Sequence, residues 1–172
     1  QQALYGSIPN GGTPEIENDN LNRVVAYMKT LAVPGRRNVS DATVLKGKKL
    51  FMQMNCSGCH QPTMTTQSPI DQLNNQTIRP YTDLLLHDMG DDLADGRPDF
   101  VATGKEWRTP PLWGIGLIKT VNGHTFLLHD GRARNMEEAV LWHGGEAATA
   151  KNKFKQLSKA DRDAVIKFLE SL

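Results

Sequence analysis

The sequence predicts a mainly α domain with long irregular loops. Three observations predict it. Apolar residues recur at helical spacing near both ends of the chain, strand signals are few, and the middle, residues 61–134, is broken repeatedly by Gly and Pro. At 172 residues, one domain is the simplest organisation. Residues 1–14, with Asn10-Gly11-Gly12, read as a lead-in or linker, and residues 15–172 as the domain.

Thr13-Pro14 predicts the first helix start, with proline at the first helical position. Leu21, Val24, Val25, Met28 and Leu31 then fall on one face, and Pro34-Gly35 ends the helix. Ser40 is expected to cap a second helix that directs Val44, Leu50 and Phe51 inward. The breaker-rich middle is too long for an ordinary connection, which points to binding or function. Within it a short helix is expected over residues 81–87, and a hairpin over 118–127 around Asn122-Gly123. Asn135 and Glu138 form an N-x-x-E cap before Ala139, Val140 and Leu141. Ser158 and Asp161 repeat the device before Val165, Phe168, Leu169 and Leu172.

A formal net charge of +1 gives no electrostatic case for nucleic acid. No apolar stretch is long enough for a membrane span. The chain starts QQALYG, which reads as a processed protein or a fragment. Apolar residues make up 38% and aromatics 6%, a lean supply for a core of this size.

Both cysteines lie in "MNCSGCHQP", as Cys56 and Cys59, with His60 directly after. C-x-x-C-H is the attachment pattern of one covalent haem c. The two thiols add to the haem vinyl groups, and the adjacent histidine becomes the proximal iron ligand. A bound macrocycle would also supply the apolar surface that the composition lacks. Two other chemistries fit the spacing. A redox dithiol uses C-x-x-C without needing the histidine. A zinc site could join the cysteines to His124 and His129, and the product would be an interaction domain. A disulfide across so short a loop would remove little chain entropy. The haem reading makes the fold cytochrome c-like, and haem c attachment generally implies a periplasmic or otherwise extracytoplasmic compartment.

On the opposite iron face the candidates are His87, Met89, His124, His129 and His143, together with Met28, Met52, Met54, Met64 and Met136. Met52 and Met54 lie too near the attachment site to reach across, and Met28 and Met136 read as packing residues. His143 ends a helical stretch before Gly144-Gly145, where backbone can approach a flat ligand closely. Arg108, Arg132 and Arg134 are candidates for the haem propionates, since the guanidinium fork matches a carboxylate.

The segments "CSGCHQP", "PYTDLLLHDMGDDLAD", "WRTPPLWGIG" and "LLHDGRARNMEEAVLWHGGEA", with the terminal helix, resemble the C-terminal haem domain of the bacterial di-haem oxidoreductases. This family is related to the di-haem cytochrome c peroxidases. The resemblance covers roughly residues 15–172. It implies that the second axial ligand follows the "EAV" segment, where the relatives carry Met or Tyr and this sequence has His143. Met89 is the alternative, and the resemblance places His129 near the haem edge. It implies further that a second haem belongs to an N-terminal domain missing from this chain, which is then expected to be a fragment. The function implied is the electron-transfer haem domain of a periplasmic peroxidase-like oxidoreductase, fed by a small cytochrome or cupredoxin. The alternative is a free-standing mono-haem electron carrier.

Overall fold

The computed structural model describes residues 16–172. Residues Gln1–Val33 and Pro34–Leu172 form two separate units. In the first, helix α1 (Asn18–Thr30) carries the expected stripe of Leu21, Val24, Val25 and Met28, all solvent-exposed. The start expected at Thr13-Pro14 lies outside the described residues.

The second unit holds α2 (Ala42–Gln53), α3 (Ile118–Asn122), α4 (Met136–Trp142), α5 (Ala148–Gln156) and α6 (Lys159–Glu170). Among the described residues strand is confined to two short antiparallel pairs. β1 (Met64–Thr65) pairs with β2 (Thr77–Ile78), and β3 (Leu86–Asp88) with β4 (Glu106–Arg108). The protein is therefore mainly α with irregular loops, as the sequence predicts. No helix among the described residues is long and apolar enough to cross a membrane.

The centre of this unit is the packing of α2 on α6. α2 buries Val44, Gly47 and Phe51; α6 buries Ala164, Val165, Phe168 and Leu169. The Phe51 and Phe168 rings lie 5.3 Å apart, and Tyr81 meets them edge-on at 6.2 and 5.7 Å. Such tilted arrangements suit the ring quadrupoles. The far end of α6 is closed by Arg37, whose guanidinium donates to the Glu170 and Leu172 carbonyls at 2.5 and 2.9 Å. A cation there satisfies helix carbonyls that lack intrahelical donors.

Two expected caps form. Asn135 Oδ1 accepts the Glu138 N–H at 2.9 Å, and Ser158 Oγ accepts the Asp161 N–H at 3.2 Å. The cap of α2 is Asp41 rather than Ser40: its carboxylate accepts the N–H groups of Thr43 and Val44 at 2.8 and 3.1 Å. A negative charge at a helix start is favoured by the dipole as well as by the hydrogen bonds. The expected helix over 81–87 does not form. Thr82 Oγ1 takes the Leu84 N–H and Asp83 takes the Leu85 N–H, so local side-chain bonds capture the donors a helix would use. Tyr81 and Leu84 adopt left-handed backbone there, with φ of 55° and 62°. The expected hairpin over 118–127 is instead α3 with Gly123 as its left-handed C-cap, φ 76°.

Gly47 lets α2 and α6 approach. A Cβ added to it would stand 1.9 Å from the Ala164 carbonyl oxygen and 2.8 Å from the Phe168 Cβ. By helix propensity alone, Gly47→Ala would stabilise by roughly 1 kcal/mol. Overpacking against backbone should outweigh that, so a net loss of about 1–3 kcal/mol is expected in urea denaturation. Gly35→Ala, with nothing within 4 Å, should be near neutral. A stabilised Gly47→Ala would show that the helices are not held at this distance.

Candidate haem-binding site

α2 ends at a left-handed Asn55, φ 68°, and a single 3₁₀ turn, Cys56–Gly58, comes next. Asparagine tolerates that conformation better than most residues. The turn reverses the chain, the His60 N–H donates to the Cys56 carbonyl at 3.0 Å, and the His60 ring comes to lie 6.2 Å from Phe51. Nδ1 of His60 is 3.0 Å from the Tyr81 carbonyl. A carbonyl only accepts, so in this contact Nδ1 carries the proton and Nε2 is the bare nitrogen.

His143 caps the end of α4, and its Nδ1 is 2.7 Å from the Ala139 carbonyl. The same reasoning leaves its Nε2 bare. The two rings stand 6.4 Å apart, tilted by 48°. Two imidazoles sharing one metal ion at about 2 Å per bond would have ring centres about 6 Å apart, once about 1 Å from nitrogen to ring centre is added on each side. The observed separation therefore fits an iron between the rings, and the chemistry of the pair suits it. Burial pulls His60 down to about 4 against the opposing Tyr81 bond, and burial also lowers His143. Both are neutral at pH 7, the form in which imidazole binds metal.

The cysteines show the opposite of thiol activation. Burial pushes Cys56 up to about 11, with Cys59 adding to it and the charge of Lys153 working against it. Cys59 is also raised, by burial and then by the Asp83 and Glu146 carboxylates. Reactive dithiols need a lowered pKa, so the surroundings do not build one. The zinc arrangement is not assembled either. His124 stacks on Phe126 at 4.7 Å and His129 on Trp107 at 3.6 Å. Among the described residues the one group of three or more potential metal donors within mutual reach is Cys59, Asp83 and His87. His87 commits both ring nitrogens there, Nε2 to Asp83 at 2.9 Å and Nδ1 to Glu146 at 2.8 Å. An imidazole between two carboxylates donates from both nitrogens and has no lone pair for a metal.

The carboxylate–imidazole–carboxylate clamp escapes sequence reasoning, because Glu146 lies 59 residues from His87. It fastens the turn after His143 to β3. Glu146 also accepts the Asp88 N–H at 3.0 Å. Gly144 and Gly145 lie flush on the same strand: an added Cβ would stand 2.6 Å from the Met89 carbonyl oxygen and 2.1 Å from that of Asp88. Met89 is thus half-buried beside the His143 turn, with its main chain against Gly144. Of the propionate candidates, Arg132 is held by Asp130 at 2.7 Å and Arg134 by Glu138. Arg108 is exposed at the end of β4 and has no ion pair among the described residues.

A family model described as "di-haem oxidoreductase, putative peroxidase" matches residues 5–172. No curated protein and no solved structure matches the chain.

The clamp has a pH signature. The Glu146 bond, opposed by burial and aided by Asp83, raises the His87 pKa. Glu146 is lowered, chiefly by His87. In Asp83 burial acts upward, but bonds from Leu85, His87 and Thr109 outweigh it and the net shift is down. A raised histidine stabilises the fold fully below its unfolded pKa of about 6.5 and loses that as pH rises through its folded value. Lowered carboxylates stabilise above about pH 4 and lose that as pH falls through their folded values. The difference in melting midpoint between wild type and His87→Gln should therefore be largest near pH 5–6 and shrink towards pH 9. A difference that grows with pH would show that His87 is neutral in the fold.

Proposed function

The chain belongs to the di-haem oxidoreductase family, and from that premise we propose that it is a c-type haem electron-transfer domain of a periplasmic peroxidase-like oxidoreductase. In this reading Cys56 and Cys59 would hold one haem through thioethers, and His60 and His143 would bind its iron. The observation that carries it is the pair of neutral imidazoles 6.4 Å apart, each pinned through Nδ1 to a main-chain carbonyl. Bound there, haem supplies one-electron chemistry. The protein's part is orientation: the Tyr81 and Ala139 carbonyls fix the tautomer and rotation of each ring, as outer-shell partners of metal ligands do. Phe51, Tyr81 and Phe168 give an apolar wall behind His60. The lean core is then completed by the cofactor.

With His60 and His143 both holding the iron, this domain would pass electrons and would not activate peroxide. The family has two haems and these residues hold one C-x-x-C-H. The reading therefore assigns the catalytic haem to an N-terminal domain outside them, and the electrons to a small cytochrome or cupredoxin. The single attachment sequence equally suits a free-standing mono-haem carrier. Turnover of the chain in the presence and absence of a second haem domain separates the two.

Denaturing mass spectrometry of protein made in a host with c-type maturation should show a haem mass retained on the chain. A bare polypeptide mass would sink the assignment. The oxidised protein should be low-spin, should lack the far-red Met-to-iron charge-transfer band because no Met sulfur binds the iron, and should have a lower potential than Met ligation gives. His143→Ala should become high-spin while Met89→Ala keeps the wild-type spectrum. A band present in wild type and lost in Met89→Ala would give the ligand position to Met89.

Peroxide turnover by the chain alone should be slow while its reduction by artificial donors is fast. Rapid turnover would show that the open haem is this one. His143→Ala, which opens the iron, should then gain peroxide reactivity relative to wild type.

A further inference from the structure

α2 has two faces of opposite character. Val44, Gly47 and Phe51 point into the core against α6. Leu45, Lys48, Lys49 and Met52, at i, i+3, i+4 and i+7, share the other side. Leu45 is 51% and Met52 42% exposed, so two large apolar side chains stand in water between two lysines. The stripe ends one helical turn before Cys56. Lys153 of α5 lies near enough to Cys56 for its charge to act on the thiol.

The charge is one-sided. α2 and α5 together carry six lysines and no carboxylate. Only Lys46 among them has an ion pair in the described residues, with Asp161 at 2.5 Å on the side of α6. Residues 83–106, by contrast, hold seven carboxylates against two cations. The formal net charge of +1 conceals this separation. Two exposed apolar side chains flanked by Lys48 and Lys49, neither in an ion pair among the described residues, match the anatomy of a transient interface, in which charge steers the partner and the apolar contacts exclude water.

We propose that the Leu45–Met52 face of α2, with Lys48 and Lys49 in it and Lys153 close to Cys56 beyond its end, is the landing surface for an electron-donor protein that presents an apolar patch rimmed by carboxylates. This rests on the haem reading above. One electron leaves the donor's reduced metal centre and reduces the ferric haem, and no bond is made or broken. The stripe ends one helical turn before Cys56, so a haem held there through a thioether would be attached close to the landing surface. Charge complementarity selects the donor, because a basic-rimmed protein would be repelled from the lysines and drawn to the carboxylates of residues 83–106 instead.

The test uses the haem-loaded protein and two small reductants of opposite charge, anionic iron(II)–EDTA and cationic hexaammineruthenium(II), followed by stopped flow. The anion should reduce wild type with a rate that falls as salt is added. Lys48→Glu/Lys49→Glu/Lys153→Glu should slow the anion by about tenfold at low salt and speed the cation, with the gap closing at high salt. Lys105→Glu, on the acidic side, should change neither rate by more than about twofold. An acidic blue-copper protein as donor should behave like the anion. With it, Leu45→Ser/Met52→Ser should lower the rate severalfold without altering the salt dependence. Haem content and potential are measured for every variant. Loss of covalent haem from wild type would overturn the parent reading. Full haem with rates insensitive to the three charge reversals would overturn the landing surface alone. Equal slowing of anion and cation by the charge reversals would show altered haem burial rather than docking, and would overturn it too.

Discussion

The carbonyl of Tyr81 is the point at which fold and site meet. It receives Nδ1 of His60 at 3.0 Å, while the Tyr81 ring is wedged against Phe51 and Phe168 at the α2–α6 contact. To serve both ends the residue takes a left-handed backbone, φ 55°, which costs an L-residue about 1–2 kcal/mol. Neighbouring bonds hold it there: the Thr82 N–H donates to the Gln61 carbonyl at 3.1 Å, and the Leu112 N–H to the Pro80 carbonyl at 2.8 Å. Strain of this kind persists where surrounding structure over-determines it, and it concentrates at functional sites. The helical core therefore aims the imidazole as well as stabilising the chain.

The opposite imidazole is aimed by different means. His143 sits at the end of a seven-residue helix, too short to be stable alone. Its position comes from the next three residues of the chain: two glycines lying flush on the Asp88–Gly90 backbone and a glutamate locked to His87. Either glycine bearing a side chain would drive the turn off the strand. One ring thus belongs to the rigid helix pair and the other to a clamped loop, and their separation depends on both.

Much of this is legible in the sequence where the signal is local. C-x-x-C-H, the caps at Asn135 and Ser158, and the inward faces of α2 and α6 are all written within a few residues of one another. The failures also have local causes. Asn122-Gly123 serves a helix end as readily as a hairpin turn, since both need a left-handed residue. Residues 81–87 have apolar spacing compatible with a helix, but Thr82 and Asp83 divert the backbone donors. α5 escapes a periodicity argument because its surface lysines dilute the apolar pattern, although Phe154 is fully buried. The His87 clamp and the lysine stripe beside Cys56 depend on long-range proximity, which no spacing rule encodes.

The Arg37–Glu170 contact joins residues 133 apart, and Lys167 reaches Asp41 across 126. The helices that form the core thus close almost the whole unit into one large ring. The entropy of closing such a ring grows only logarithmically with its length: each doubling costs about 0.6 kcal/mol. Inserting or deleting several residues in the exposed loops of the breaker-rich stretch between 61 and 134 would therefore change the closure term by only about 0.1 kcal/mol or less. Those loops can vary in length while Tyr81, the His87 clamp and the helix pair stay fixed. The architecture leaves room for evolutionary change in those loops without requiring the helix pair to be rebuilt.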